Sequence, residues 1–291
     1  MRNGRVWALS KLSAHVNNIA LHHSIFALPF AYMGAFLAAQ GLPDGWDLFW
    51  ITMAMVGARS AALALDNLID LKYDKLHPRF TKRPMVTGEV TVAEVVALII
   101  FSLGIFLGAV LQLAPICIKL VPIAVFPFII YPYMKRITCL CHLVLGVALA
   151  MAPAGGYMAI KGELSLGVVI LCFAVCFWIA GFDVVYGCQD EAFDKEQGLH
   201  SLATKFGAAG ALQIARLMHA VSFFCFIGTG LLFSLAPVYY VGVGISLVTL
   251  LYQHSIVSAS DFSRVTQVYF MRNGIVAMAV FLFTVLSLIG A

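Results

Sequence analysis

The chain has 291 residues, of which 62% are hydrophobic and 11% are charged, and its mean hydropathy is +0.96. Soluble domains carry about 25% charged residues, so this composition excludes a soluble globular protein. The net charge of +4 is modest, and the basic residues are scattered over several loops. A nucleic-acid-binding face would require a contiguous basic patch, so that class is excluded as well.

Nine apolar segments predict a polytopic helical membrane protein. In lipid, only helices and closed barrels satisfy every backbone hydrogen bond, and barrel strands are short and alternate in polarity, unlike these segments. Each segment approaches the ~20 apolar residues that span a bilayer, although the eighth is short and the count falls to eight if it is re-entrant. Three prolines in the fourth segment should bend or shorten its helix. The predicted spans are residues 24–40, 48–65, 92–113, 118–134, 140–160, 164–185, 208–235, 238–253 and 275–289.

The basic residues predict how the chain is oriented. Fourteen lysines and arginines fall in the N-terminal arm (Arg2, Arg5 and Lys11) or after spans two, four, six and eight, whereas only Lys119 and Lys161 lie in the opposite loops. By the positive-inside rule, the N-terminus is cytoplasmic and the C-terminus lies on the far side. Polar segments after even-numbered spans therefore emerge on the cytoplasmic face.

The polar segment after span two, expected as a loop at residues 66–91, begins with an acidic group. Asp66, Asp70 and Asp74 are spaced four residues apart. On a helix, a step of four residues turns by only about 40°, so these carboxylates would share one face. Charge beside a membrane is costly and usually functional.

A second acidic group follows span six. Asp183, Asp190 and Asp194 are separated by seven and four residues and share a face if the helix continues past Gly187, with Tyr186 on the flank of that face. The alternative for both groups is a solvated loop face.

The layout of the two acidic groups suggests an internal repeat, because each follows a span and is accompanied by basic residues. We expect a single integral-membrane domain over residues 1–291. Its two similar halves would be residues 15–135 and 136–255, followed by a final helix.

Acidic and basic residues together indicate a site for a metal-bound diphosphate. Two carboxylates a few ångströms apart repel by roughly 4 kcal/mol at an effective dielectric of 20, so six at one cavity require cations. Oxygen ligands favour Mg²⁺, which bridges carboxylates to substrate phosphates. Nearby basic side chains can donate to phosphate oxygens, although topology and contact with anionic lipid explain them equally well. These candidates are Arg79, Lys82, Arg83, Lys135 and Arg136.

Arg59 is a separate candidate. It lies seven residues before Asp66, on the same helical face but deeper in the membrane. It is either a receptor for a substrate carboxylate or a structural arginine paired with Asp66 or Asp183.

Four stretches carry a family resemblance. They read, in order, DNLIDLKYD, HPRFTKRP, YPYMKRITCLCHLVLG and DVVYGCQDEAFDKEQGLHSLATKFG. Together they resemble the UbiA superfamily of intramembrane aromatic prenyltransferases, over most of the chain and in matching order. The second acidic motif and the YPYMKR segment are most similar to the bacterial 4-hydroxybenzoate polyprenyltransferase branch. Enzymes that prenylate a dihydroxynaphthoate in menaquinone biosynthesis are close to that branch.

The resemblance implies an all-α bundle of about nine transmembrane helices around a central cavity that opens laterally to lipid. It also implies Mg²⁺-dependent transfer of a polyprenyl group from its diphosphate to an aromatic acid in ubiquinone or menaquinone biosynthesis. The implied partners are a polyprenyl diphosphate, an aromatic acid and membrane lipid, with no nucleic acid and no obligate protein partner. The implied location is the bacterial cytoplasmic (inner) membrane, with the site opening to the cytoplasm.

The resemblance also assigns roles to residues. Asp70, Asp74, Asp190 and Asp194 are expected to hold Mg²⁺. Arg59 is expected to bind the aromatic acid, and Asp183 and Tyr186 to act at the catalytic step as cation stabilisers or proton acceptors. Asp66 is expected at the diphosphate with the five basic residues named above. The family has Asn at the position of Asp66, so this chain carries an additional negative charge there.

Three alternative functions stay open. A haem or chlorophyll type of prenyltransferase uses the same donor chemistry. A phospholipid alcohol phosphotransferase also has metal-binding aspartates, in a motif resembling DxxDGxxAR, but residues 66–74 contain no DG or AR. A cation-coupled transporter usually has its carboxylates near the midplane on broken helices, whereas here they lie at span ends.

Overall fold

The computed structural model describes residues 27–265 and 270–290, together with residues 11, 13–16 and 18 of the N-terminal arm. These residues are helical or irregular, with a single isolated bridge between Ser258 and Asp261. Arg2, Arg5 and residues 24–26 of the first predicted span lie outside the described residues.

The described chain contains nine long helices and two short ones. The short helices are α3 (Pro84–Thr87) and α8 (Glu191–Glu196), and the 3-10 turn Cys188–Asp190 precedes α8. The long helices are α1 (Leu28–Ala39), α2 (Gly45–Asp74), α4 (Val92–Val110), α5 (Ile116–Met134), α6 (Cys141–Lys161), α7 (Leu166–Gly187), α9 (Leu202–Leu232), α10 (Pro237–Ser255) and α11 (Phe270–Ile289).

The prediction of an all-α membrane protein is confirmed. Within the described ranges, seven segments are long and apolar enough to cross a membrane, and they lie in α2, α4, α5, α6, α7, α9 and α11. Helix α1 is apolar but has only 12 residues, and α10 is not among the seven. The nine predicted spans correspond in order to the nine long helices, so nine is an approximate count of spans.

Helix α2 extends nine residues beyond the predicted end of span two, so the predicted loop at residues 66–91 was wrong in its first part. Asp44 caps the start of α2, accepting a hydrogen bond from the backbone N–H of Trp46 at 2.7 Å. No glycine or proline interrupts the chain between Gly57 and Pro78, so nothing stops the helix at its first charged residue. All three carboxylates of the first acidic group therefore lie on one helix.

The second acidic group does not lie on one helix. Helix α7 ends at Gly187, Asp190 lies in the 3-10 turn and Asp194 lies on α8. The condition for one shared helical face, a helix that continues past Gly187, is therefore not met. The turn and α8 bury both Asp190 and Asp194, which are 7% and 2% exposed.

Two further differences concern prolines and a kink. Helix α5 continues as one helix through Pro122, Pro127 and Pro132. Helix α9 begins at Leu202 and is interrupted at Gly207, whose φ of 72° and ψ of 164° favour glycine alone. The predicted start of span seven at residue 208 is the position just after this interruption.

The helices pack in an order that closes the bundle. Helix α7 packs between α6 and α9, α2 packs on α4, α10 packs on α11, and α11 contacts α1. Helices α1 and α6 approach closely because both present glycines. A Cβ on Gly34 would collide with the backbone of Pro153, and one on Gly156 with the backbone of Ala31. Small residues at such contacts allow close helix packing in lipid.

An apolar cavity of about 340 Å³ lies among α1, α2, α4, α5 and α6. Arg59 is the one charged residue among the described residues that line it. Representative apolar lining residues are Ala31, Met55, Phe106, Leu120, Phe128 and Leu149.

Candidate active site

The C-terminal end of α2 presents the first acidic group to basic residues from two other segments. Arg136 Nη2 lies 2.9 Å from Asp70 Oδ1 and also donates to the carbonyl of Ile69 at 3.0 Å. Arg83 Nη1 forms a short ion pair with Asp74 Oδ2. Asp66 makes no ion pair or hydrogen bond with any described residue. Two of the three carboxylates are therefore balanced locally, and Asp66 is not.

Arg83 is held in place by more than its carboxylate. Its Nη1 also donates to Asn67 Oδ1 at 3.3 Å, and its guanidinium lies 3.8 Å from the ring centroid of Phe80. The Asn67 amide in turn donates to the backbone carbonyl of Asn18. These contacts fix the orientation of a guanidinium that is 34% exposed.

The second acidic group is contacted by residues that follow α2 and α5. Lys135 Nζ lies 3.3 Å from Asp194 Oδ2. His77 Nε2 and Arg79 Nη1 each lie 3.1 Å from Asp190 Oδ1. The ring of His77 stacks on Phe80 at a centroid distance of 4.4 Å and contacts Phe193 in a tilted arrangement at 4.2 Å. Residues that follow the first acidic group therefore contact the second.

Consecutive residues join the two acidic groups. Lys135 contacts Asp194, whereas Arg136 contacts Asp70. The backbone N–H of His200 donates to the carbonyl of Lys135 at 2.6 Å, which fixes this turn against the segment after α8. The structure thus brings both acidic groups to one place, although they are far apart in the sequence.

The contacts of Asp190 leave hydrogen-bonding capacity unused. Its Oδ1 lies 3.1 Å from both His77 Nε2 and Arg79 Nη1 but makes a hydrogen bond with neither. Four buried atoms therefore have no hydrogen bond to any described residue: Asp190 Oδ1, His77 Nε2 and the two terminal nitrogens of Arg79. Buried polar atoms rarely lack a hydrogen-bond partner. Opposite charges that face each other in this way indicate a place for a charged ligand.

The electrostatics of the residues between the spans agree with this geometry. Burial alone would lower the pKa of Lys135, but the carboxylates of Asp194, Asp190 and Asp183 outweigh it and raise this pKa. Burial lowers the pKa of His77, and the opposing effect of Asp190 does not restore it. At neutral pH, Lys135 is therefore charged and His77 is neutral.

Asp183 and Tyr186 lie at the end of α7. Asp183 Oδ2 is 2.7 Å from His142 Nδ1 on α6. The guanidinium of Arg79 lies 5.1 Å from the ring centroid of Tyr186, which links Tyr186 to the Asp190 contact.

Arg59 has neither of the partners that the structural alternative requires. No ion pair joins it to Asp66 or Asp183, and its buried Nε has no hydrogen-bond partner in the described chain. It lines the apolar cavity, two turns before Asp66 on α2.

For three residues, the structure differs from or adds to the set of site residues predicted from the sequence. Lys82 is exposed and makes no hydrogen bond or ion pair with a described residue, so its role at the diphosphate stays a prediction. His77 and His142 were missed, because a single histidine carries no periodic signal. Both stand inside the quoted stretches HPRFTKRP and YPYMKRITCLCHLVLG, and that proximity was the available signal.

The carboxylates fit a hard divalent cation by their chemistry. Within the described ranges, no three His, Cys, Asp or Glu side chains are grouped as a ready metal site, and basic side chains contact the carboxylates. The donors are nonetheless all oxygen, and Asp190 Oδ1 is buried without a hydrogen bond. This donor set suits Mg²⁺ when the basic side chains bind phosphate oxygens instead of the carboxylates.

Known proteins are similar to this chain in sequence and in fold. The model of the UbiA prenyltransferase family matches residues 27–275. A 4-hydroxybenzoate octaprenyltransferase from Methylobacillus flagellatus is 31% identical over 251 residues, which cover 85% of this chain and 83% of that protein. The mitochondrial 4-hydroxybenzoate polyprenyltransferase of Schizosaccharomyces pombe is 30% identical over 74% of this chain and 61% of its own length.

Solved structures of UbiA homologues have the same fold as this chain. A UbiA homologue from Aeropyrum pernix K1 superposes with a TM-score of 0.81 at 32% identity, over 89% of this chain and 96% of its own. A UbiA homologue from Archaeoglobus fulgidus, bound to GPP and Mg²⁺, has the same fold, with a TM-score of 0.72 at 18% identity over 96% of this chain and all of its own. The chain therefore belongs to the UbiA prenyltransferase family.

Proposed function

We propose that this prenyltransferase transfers a polyprenyl group from a polyprenyl diphosphate to an aromatic acid, either 4-hydroxybenzoate or a dihydroxynaphthoate, in ubiquinone or menaquinone biosynthesis. The observation that carries the proposal is the meeting of two acidic groups and their basic partners near an apolar cavity that contains Arg59. The names of the relatives, which act on 4-hydroxybenzoate, favour that acceptor.

In this proposal, Asp70, Asp74, Asp190 and Asp194 hold Mg²⁺, and the binding of Mg²⁺ together with GPP by the homologue from Archaeoglobus fulgidus supports the choice of metal. When bound, the metal supplies charge that stabilises the departing diphosphate. Arg79, Arg83, Lys135 and Arg136 then donate to its oxygens. Lys82 and Asp66 complete the proposed diphosphate contacts.

The remaining steps use the cavity and α7. The apolar walls keep water from the allylic cation, and the prenyl tail lies along them toward lipid. Arg59 binds the carboxylate of the acceptor, so the phenol ring faces the cation. Asp183 accepts the proton that the ring loses, and Tyr186 stabilises the cation beside it.

We place the enzyme in the bacterial cytoplasmic membrane, with a cytoplasmic N-terminus and the site open to the cytoplasm. The asymmetry of the basic residues supports this orientation. We further propose that residues 1–291 form one domain of two similar halves and a final helix.

The test is a membrane assay with a polyprenyl diphosphate, Mg²⁺ and each candidate acid. We expect a prenylated acid, and loss of product when EDTA is added. Asp190→Asn should lower turnover about 10²–10³-fold, the usual effect of removing one electrostatic contact to a transition state. Glu191→Gln is the matched control. It removes one charge from the neighbouring residue, which pairs instead with Lys195 at 2.6 Å, and should leave turnover unchanged.

Two results would contradict the proposal. One is the absence of prenylated product with every acid while the protein is folded in the membrane. The other is normal turnover in Asp190→Asn or in EDTA, which would remove the metal assignment. Cation uptake into vesicles without prenyl transfer would favour the transporter.

A further inference from the structure

His142 lies in the first turn of α6, beside the candidate site but inside the protein. Its Nδ1 is 2.7 Å from Oδ2 of Asp183. The side chain of His142 is 2% exposed, whereas that of Asp183 is 22% exposed. The aspartate is therefore the member of the pair that a substrate can reach. This order is the reverse of a catalytic triad, in which a buried carboxylate orients a reactive histidine.

Helix α7 makes room for the imidazole ring. Gly187 lies one turn after Asp183 and faces His142, and a Cβ at this position would lie 3.2 Å from Cε1. Cε1 lies between the two ring nitrogens. Gly187 thus lets the ring lie against α7 with Nδ1 in reach of Asp183.

Asp183 differs in its partner from the carboxylates of the proposed metal site. Those carboxylates contact arginine or lysine, which stay charged. Among described residues, Asp183 pairs with a histidine alone. An ionised carboxylate only accepts hydrogen bonds, so Nδ1 carries the hydrogen and donates it to Oδ2. The other oxygen, Oδ1, has no hydrogen-bond partner in the described chain.

We propose that His142 is a positioning residue for the proton transfer that completes prenylation. Its hydrogen bond to Oδ2 fixes the carboxylate of Asp183, so that Oδ1 faces the acceptor ring. The inference rests on the proposed function and adds to it a residue outside the metal and diphosphate contacts.

The chemistry balances with the groups already named. The allylic C–O bond breaks, and its electron pair leaves with the diphosphate. A ring carbon of the acceptor supplies the electron pair of the new C–C bond. The hydrogen on that carbon then leaves as a proton to Asp183, and its bonding pair restores the aromatic ring. A carboxylate held in one orientation accepts that proton faster than one that rotates.

The test measures the rate of proton removal. Purified full-length enzyme is supplied with geranyl diphosphate, Mg²⁺ and 4-hydroxybenzoate, either unlabelled or deuterated at both positions ortho to the hydroxyl. We expect His142→Ala to lower kcat about 10²-fold, the lower range for general-base catalysis, and to leave KM for geranyl diphosphate unchanged. Because proton removal becomes slow, a primary isotope effect larger than that of wild type should emerge.

His142→Asn is the matched control, because its side-chain amide donates a hydrogen bond from a position close to Nδ1. His142→Asn should have most of the wild-type kcat and an isotope effect no larger than that of wild type. If His142→Ala does not fold, His142→Leu carries the same test with an apolar side chain in the buried site.

The outcomes separate the two proposals. A wild-type enzyme that makes no prenylated 4-hydroxybenzoate or dihydroxynaphthoate overturns the proposed function and this inference together. If the wild-type enzyme turns over, two results for His142→Ala overturn the role of His142 alone. One is an unchanged kcat, and the other is a lower kcat without a larger isotope effect.

Discussion

Arg59 places a permanent positive charge in an otherwise apolar cavity. A guanidinium without an acidic partner in apolar surroundings is costly, and the buried Nε of Arg59 has no hydrogen bond within the described ranges. A ligand carboxylate that enters this cavity would supply the acceptor that the protein does not.

The role of Arg59 can be tested by separating the two substrates. Arg59→Gln should raise KM for 4-hydroxybenzoate roughly 10–100-fold, because a hydrogen bond to a charged group contributes about 1.5–3 kcal/mol. KM for the polyprenyl diphosphate should not change. Steady-state kinetics with each substrate varied in turn measure both values.

Arg216→Gln is the control for Arg59→Gln, since Arg216 is the other arginine within a predicted span and is exposed on α9. It should leave both KM values at those of wild type. An equal rise in both KM values of Arg59→Gln would assign Arg59 to structure rather than to the acceptor.

At the residue scale, the sequence reveals charge but not pairing. The aspartates stand out because they repeat at helical spacing beside apolar segments. Which basic residue meets which aspartate could not be predicted, because those contacts join residues far apart in the chain, as between Arg79 and Asp190. The two histidines were missed because a single histidine carries no periodic signal.

At the element scale, the apolar segments predict the order of the helices, whereas the residues at which the helices end are harder to predict. Helix α2 continues through three aspartates because its polar end is matched by basic side chains from elsewhere. Helix α7, in contrast, ends at a glycine, Gly187, which is a local signal for a helix end. The local pattern predicts where a helix is apolar, and in α2 it did not predict where the helix ends.

The close contact of α1 and α6 gives a prediction for neighbouring glycines. Gly156→Ala should destabilise the protein by about 1–3 kcal/mol, the usual cost of overpacking, because its Cβ would collide with the backbone of Ala31. Gly155→Ala should be tolerated, since a Cβ there meets nothing within 4 Å.

Thermal unfolding in detergent compares the two glycine variants with wild type. The Gly156 variant should unfold at a lower temperature and the Gly155 variant at that of wild type. Equal stability of both variants would show that the α1–α6 contact adapts to a methyl group.

At the scale of the whole molecule, the basic residues predict which end faces the cytoplasm. Green fluorescent protein should fluoresce when fused to the N-terminus of the full-length chain and stay dark at the C-terminus, because the charge asymmetry sets topology. Alkaline phosphatase at the C-terminus should be active. Fluorescence at both ends would mean an even number of spans, as the re-entrant alternative for the eighth segment requires.

The ion pairs of the proposed metal site couple the binding of its two ligands. A divalent cation that binds alone must displace Arg83, Lys135 or Arg136 from its carboxylate, which leaves those cations uncompensated. A diphosphate that binds alone pairs with the same basic side chains and leaves the carboxylates without a positive partner. Each ligand therefore removes the penalty of the other, and linkage makes the gain reciprocal. In the proposed site, the carboxylates would therefore bind the metal more tightly when a prenyl diphosphate is also bound.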